Sequence, residues 1–551
     1  MRSASFILAG ILLFAVGCAG GDSATEDDDA ALRAGHATPQ PVKPILECVA
    51  PGPHHLDVAL FGFANESSEQ VIIPIGPSNH FLPPGPAARS QPTRFAPGRQ
   101  HGAFTVPFFE RATWRLGLHT ATAHRHSPRC SAAETALVQE LERIKAHFAN
   151  RYAERAVVHH FDEVFGFTID CVDINQQPGL RGTGLTLVRH PTNPPPPAPA
   201  PAPGRQVLPR LSGGTDQNGA ARMCPPDTVP IRRFALEDVR AFETLENVVR
   251  HGPAPGQRPA PQPTTEGEHY SHVGYQAKQQ TTHGNAALLT VENPDLDEDV
   301  LHEVDHSIAQ VWTYAGCQVN DPTCASTGLQ TIESGWIKEP EDLAPRFFIY
   351  HTTDNYTDRT SNSCYNLDCA GANHNFIQTS SDMVLDFPLQ PTSPPAAAGR
   401  DPTKLKTLAM SWYKDGDDGD WFLNLTLPDG TVEQVGYYPH TIFDTDGLRN
   451  AAQVVQWGGE VYDENFTDTT LERTLTDMGS GAASTDVANA ASISGLSEIK
   501  GNANAYTGAF GSKFSNGGTC YDGVFISGIT SSDPDNPAVT LFYGGRGADC
   551  H

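Results

Sequence analysis

Thr331-Ile332-Glu333-Ser334-Gly335-Trp336-Ile337 reads as a β-strand, and so does Gln456-Trp457-Gly458-Gly459-Glu460-Val461. In a strand, residues i and i+2 point the same way. Gly335 therefore shares a sheet face with Glu333, and Gly458 with Glu460. A missing side chain at such a position opens the backbone to a close neighbour or an approaching ligand. Alternation puts Trp336 and Trp457 on the face opposite their own glutamates, where they either fill a core or line an apolar pocket. The surrounding tract, from about 268 to the end, is strand-like throughout. Turn signals such as Asp415-Gly416-Asp417-Asp418-Gly419-Asp420, Pro428-Asp429-Gly430 and Asn516-Gly517-Gly518 separate runs such as Phe347-Phe348-Ile349-Tyr350. Nearly 280 residues of this pattern predict a large antiparallel β-sandwich or barrel, so the fold class is mainly β.

Composition agrees. Glycine (50) and proline (45) make up about one residue in six of the 551, which excludes an all-helical chain. Acidic residues outnumber basic ones 64 to 37, for a net charge of −27, so nucleic acid is excluded as a partner. Residues 1–18 read as an export signal: Arg2, an apolar run from Phe6 to Val16, then Ala15-Val16-Gly17-Cys18. The ending resembles a lipoprotein signal with Cys18 as the lipidated residue; the alternative is an ordinary secretory signal. The expected location is the cell envelope, lipid-anchored, or outside the cell. Membrane contact is expected only through Cys18.

The other ten cysteines fall into neighbouring couples: Cys48/Cys130, Cys171/Cys224, Cys317/Cys324, Cys364/Cys369 and Cys520/Cys550. An even count in an exported chain reads as disulfides. Residues 19–45, with Glu26-Asp27-Asp28-Asp29, read as a flexible acidic tether. Residues 46–130 read as a small β-sandwich-like accessory domain. Ser131-Ala132-Ala133-Glu134 is a capping box, and Leu137, Leu141, Ile144 and Phe148 form one face of a helix predicted to run to about Ala156. Residues 131–251 thus form a mixed α+β segment. Its insertion at 189–204 is a polyproline spacer or disordered loop, and a second Pro-rich linker spans 252–267.

Two constellations carry chemistry. His302-Glu303-Val304-Asp305-His306 is H-E-x-x-H, which on a helix binds zinc, and Glu333 is a conceivable distant third ligand. Against this, the preceding segment reads as a loop and Ile308-Ala309-Gln310-Val311-Trp312 alternates like a strand. The second constellation is the Glu333/Glu460 pair. Two carboxylates on one face do not ionise equally, so one holds a proton and the pair supplies both a base and an acid. No G-x-S-x-G elbow is present.

The stretches Gln310-Val311-Trp312, Ile332-Glu333-Ser334-Gly335-Trp336, Cys364-Tyr365-Asn366-Leu367-Asp368-Cys369, Trp457-Gly458-Gly459-Glu460-Val461, Asp477-Met478-Gly479-Ser480-Gly481 and Tyr543-Gly544-Gly545 resemble the neprosin family. The resemblance implies a glutamic peptidase on an antiparallel sandwich, cutting proline-containing peptides after proline in acid. It implies no cofactor and no metal, with Glu333 and Glu460 catalytic. Gln310 is a further candidate for substrate positioning. Asp170-Cys171-Val172-Asp173-Ile174 and Cys224-Pro225-Pro226-Asp227 resemble the family's activation segment, which implies a pro-region at 131–251. The 252–267 linker is then either a processing site or a passive spacer. The rival classes are a zinc peptidase at 302–306 and a non-catalytic surface binding protein.

Overall fold

The computed structural model describes residues 41–201, 204–239, 244–248, 269–296, 305–316, 328–339, 342–356, 362–369, 376–463, 475–501, 504–515, 520–528 and 538–547. Cys18, the 252–267 linker, His302, Glu303, Cys317, Cys324 and Cys550 lie outside them.

The strand-like tract folds into two antiparallel sheets. One has seven strands in the order Ser363–Tyr365, Arg346–Thr352, Gln330–Lys338, His306–Ala315, Val454–Asp463, His269–Ala277 and Gly511–Ser515. The other runs Ile377–Gln378, Val432–Tyr438, Trp421–Thr426, Thr407–Lys414, Thr282–Thr290, Ala491–Lys500, Ala538–Gly544 and Asp522–Gly528, with Thr507–Gly508 paired off this path. The strands are rich in β-branched and aromatic residues, and turns such as 427–431 and 415–420 join them. Val273, Val311, Ile332, Trp336 and Trp457 share one core with Leu289, Leu408, Trp412 and Leu423 of the second sheet. Both tryptophans that the alternation left open are therefore core residues. Two indoles cross the seam: Trp336 Nε1 donates to Thr290 O, and Trp412 Nε1 to Ser334 Oγ, both at 2.8 Å. Burial of large rings with their N–H groups satisfied fixes the spacing between the sheets.

The strands before the helix form two three-stranded sheets, Val42–Pro51/Asp57–Asn65/Gly98–Phe108 and Asn79–Leu82/Arg111–Leu116/His119–His124, and a short pair, Val71–Ile72/Arg94–Phe95; Val157–Asp162, Thr168–Asp173 and Thr228–Arg232 form a further sheet after it. The first two sheets close over Phe61, Phe63, Phe81, Phe104 and Trp114. The first strand begins inside the stretch read as tether, because Val42 is buried and pairs with Asn65. Disulfides join Cys48 to Cys130, Cys171 to Cys224 and Cys364 to Cys369, and Cys520 is also disulfide-bonded.

The helix is Ala132–Ala149, with Ser131 and Glu134 forming the capping box. It stops short of Ala156 because Asn150 caps it and Ala153 is extended. Its buried face is Val138, Leu141, Ile144 and Phe148, packed into the core of the upstream strands with Leu236 and Val239. By contrast, Val172, Ile174, Val229 and Ile231 join the core of the large sandwich. The 131–251 segment therefore spans two cores. Residues in and beside its described proline-rich part bond to the second sheet and an adjoining turn. Val188 N donates to Tyr437 Oη at 2.9 Å, Asn193 Nδ2 to Asp415 Oδ1 at 2.9 Å, and Val207 N to Thr407 O at 3.0 Å.

Candidate active site

The outer face of the seven-stranded sheet carries the candidate residues. Its central strand, His306–Ala315, lies between the strands that hold the two glutamates. Gln310 is in register with Gly335 on one side and Gly458 on the other, and Gly458 is in register with Gly274 of the next strand. Three glycines and one glutamine thus form a row across four strands. Glu333, opposite Trp312, lies two residues to one side of the row; Glu460, opposite Ile308 and His272, lies two residues to the other. A Cβ on Gly335 would sit 1.9 Å from Ala309 O and 2.7 Å from Gln310 Cα, and one on Gly458 would sit 2.2 Å from Val273 O. Only glycine lets these backbones approach so closely.

Glu333 (3% exposed), Gln310 (2%) and Glu460 (1%) are all buried. Glu333 Oε1 accepts from Thr331 Oγ1 at 2.7 Å and from the Tyr356 hydroxyl at 2.5 Å. In the orientation that satisfies both ends of its amide, Gln310 donates to Glu333 Oε2 at 3.2 Å and accepts from Trp312 Nε1 at 2.8 Å. Tyr356 reaches Glu333 from a turn in which Asn355 (φ 61°) and Tyr356 (φ 58°) both adopt the left-handed conformation. That backbone costs about 1–2 kcal/mol per residue, and it is held by Asn355 N to Leu329 O and Tyr356 N to Thr352 Oγ1.

Glu460 has a different environment. His272 Nε2 lies 2.7 Å from its Oε2, and His306 Nε2 lies 3.2 Å from its Oε1. Burial alone would raise this carboxyl's pKa. The charge and hydrogen bond of His272, then those of His306, overcome that and lower it to about 2.

His306 thus meets Glu460 and opens a strand, whereas zinc binding by H-E-x-x-H needs both histidines on one helical face. From Asp305 onward the chain is extended, so the helical geometry is absent there. Among the described residues, no group of histidine, cysteine, aspartate and glutamate side chains is arranged to hold a metal ion. Reading the sequence did not find His272, Thr331 or Tyr356. Thr331 is two residues before Glu333, which is a usable signal. His272 and Tyr356 are brought in by long-range pairing and by a strained turn.

Residues 303–546 match the Neprosin family model. The chain carries a neprosin domain. Crystal structures of scytalido-glutamic peptidase are among the solved structures that match part of it. One, with a transition state analog inhibitor, is 9% identical, covers 50% of this chain and 99% of that one, and has a TM-score of 0.25. Another, with a peptide based transition state analog, is 9% identical, covers 50% and 98%, and has a TM-score of 0.24. The neprosin match supports a peptidase of the glutamic class. The matched residues contain Gly335, Gly458, Gln310 and both glutamates; Gly274 and His272 lie upstream of them.

Proposed function

We propose that the protein is an exported glutamic endopeptidase that cuts peptide bonds after proline in acid, with Glu333 and Glu460 as its catalytic pair. The observation that carries the reading is the glycine row with Gln310 at its centre and a buried carboxylate on either side, all on one sheet face. A polypeptide lying along that row would meet few side chains. One glutamate takes a proton from water as the water oxygen attacks the scissile carbonyl carbon. The other, protonated, gives its proton to the leaving nitrogen as the C–N bond breaks. The Gln310 amide, set between Glu333 and Trp312, orients the substrate. With Trp336 and Trp457 in the core, one ring on the working face that could meet a proline is Trp312, which lies beside His272 with a centroid distance of 6.1 Å.

Export through residues 1–18, lipidation at Cys18 and a removable pro-region at 131–251 belong to the same proposal. The upstream segment is held to the sandwich by Arg232 to Asp386 at 2.6 Å and Arg151 to Asp368 at 2.9 Å.

The test is cleavage of a proline-containing peptide between about pH 2.5 and 7.5, with products read by mass spectrometry and a chelator arm beside each sample. The full chain lacking its signal and the same chain cut within 252–267 are compared with Glu333→Gln and Glu460→Gln. Chelator-resistant cuts after proline, lost in both variants by roughly 100-fold or more, are expected. Cleavage that survives both changes, or that the chelator abolishes, overturns the reading.

A further inference from the structure

The two carboxylates differ in what holds them. The donors described on Glu333 are neutral: a threonine hydroxyl, a tyrosine hydroxyl and a carboxamide. Glu460 has an imidazole on each oxygen, supplied by the strands on either side of its own. Glu460 therefore lies between two groups of the type that can carry positive charge. Among the described residues, the titratable groups facing it are His272 from the His269–Ala277 strand, His306 from the central strand, Tyr462 on its own strand, whose ring lies 5.3 Å from that of His306, and Glu333 across the glycine row. Both imidazoles are at least 96% buried, so solvent does little to screen them.

We infer that His272 and His306 are positioning residues that keep Glu460 ionised, which makes Glu460 the base and leaves Glu333 as the acid. This rests on the Glu333/Glu460 reading above. Glu460 removes a proton from water while the water oxygen bonds to the carbonyl carbon. The tetrahedral adduct collapses, the C–N bond breaks, and the amine nitrogen takes the proton carried by Glu333. Glu460 then returns its proton, through solvent, to Glu333. The net change is one water consumed and one acid and one amine formed. Burial in a strongly favourable charge field separates the two carboxyls, which is what a pair with divided roles needs.

The two limbs of the kcat/KM profile against pH test the assignment, since they report the free enzyme's base and acid. In the unaltered chain, cut within 252–267 if the intact chain is silent, the acid limb should lie well below the ordinary glutamate value of about 4.3. His272→Gln and His306→Gln should each move that limb up by about 1 pH unit or more and leave the alkaline limb in place. Tyr356→Phe should do the opposite: with a donor to the Glu333 carboxylate lost, the alkaline limb moves up and the acid limb stays. An acid limb at or above the ordinary value in the unaltered chain overturns the inference even if no histidine variant folds. So does a histidine variant that shifts only the alkaline limb. If Glu460→Gln keeps full activity, the catalytic-pair reading itself has failed, and that outcome is distinct from an unmoved limb in an enzyme that still requires Glu460.

Discussion

Gly335→Ala perturbs the candidate site without touching a titratable group. The new methyl would lie 1.9 Å from Ala309 O, whereas real contacts do not fall below 3.0 Å. The central strand, or its neighbour, must therefore withdraw by about 1 Å at the level of Gln310. Overpacking typically costs about 1–3 kcal/mol, and here both nearest obstacles are backbone atoms, so the upper end applies, about 3 kcal/mol. At about 2–4 °C per kcal/mol for a body of this size, the melting point should fall by about 6–12 °C. A misplacement of about 1 Å at a catalytic constellation can cost about 100-fold in rate. Thermal melting followed by near-ultraviolet circular dichroism, with peptide cleavage measured well below the melt, separates the two effects. Gly76→Ala is the control, since a Cβ there meets nothing within 4 Å. A Gly335→Ala chain that melts and cleaves like the parent would refute the close-approach argument, and with it the account of why glycine stands at this row.

Three further outcomes follow from buried charge. Arg400 Nη1 bonds Glu292 Oε2 at 2.6 Å with both side chains almost fully buried, so Arg400→Met should cost about 3–5 kcal/mol in urea unfolding, and adding Glu292→Leu should restore most of it. Glu460 has a folded pKa lowered from 4.5 to about 2, so between those values the unfolded chain binds more protons than the folded one. Its contribution is therefore full above about pH 4.5 and is lost as pH falls through about 2; an acid titration of Glu460→Gln should show a shallower decline there than the parent. A chain cut at an engineered protease site within 252–267 should still elute as one species at neutral pH, because Arg232 meets Asp238 and Asp386, Arg346 meets Asp386, Asp342 and Glu339, and Arg94 meets Asp238; immediate separation on gel filtration would contradict that docking.

What the sequence makes legible is whatever has a local period. The alternation in 330–338 and 454–463 sets which side chains share a face, so the facing of Glu333 with Gly335, Glu460 with Gly458, and the tryptophans with the core all follow from a repeat of two. Register across strands has no such local record. His272 stands opposite Glu460 at a separation of 188 residues, and nothing around Ser271-His272-Val273 announces that partner. Tyr356 depends on two consecutive left-handed residues; Asn355 is an ordinary turn residue, but nothing in the sequence marks the second, Tyr356 itself. The helix was visible from its capping box and spacing, but its packing partner was not: an apolar stripe says that something covers it, not which strands do. The proline-rich stretch has no period of its own to read. Its composition explains why it makes no sheet of its own, yet its backbone and flanking polar groups still find acceptors and donors on the second sheet.

The same reasoning shows that H-E-x-x-H takes its meaning from the backbone around it. The motif has meaning only through the i, i+4 geometry of a helix, where two histidines rise one above the other. Placed at the start of a strand, His306 projects from one sheet face and meets a residue 154 positions away, Glu460. A single histidine can serve either chemistry, and the local backbone decides which. In this chain the Ile308–Trp312 alternation fixes the backbone as strand, so the histidine's partner is set by the neighbouring strands of the sheet. That partner is a carboxylate, and an imidazole beside a buried carboxylate shifts its ionisation. The alternation of five residues after the motif therefore weighs more heavily on its function than the five residues of the motif.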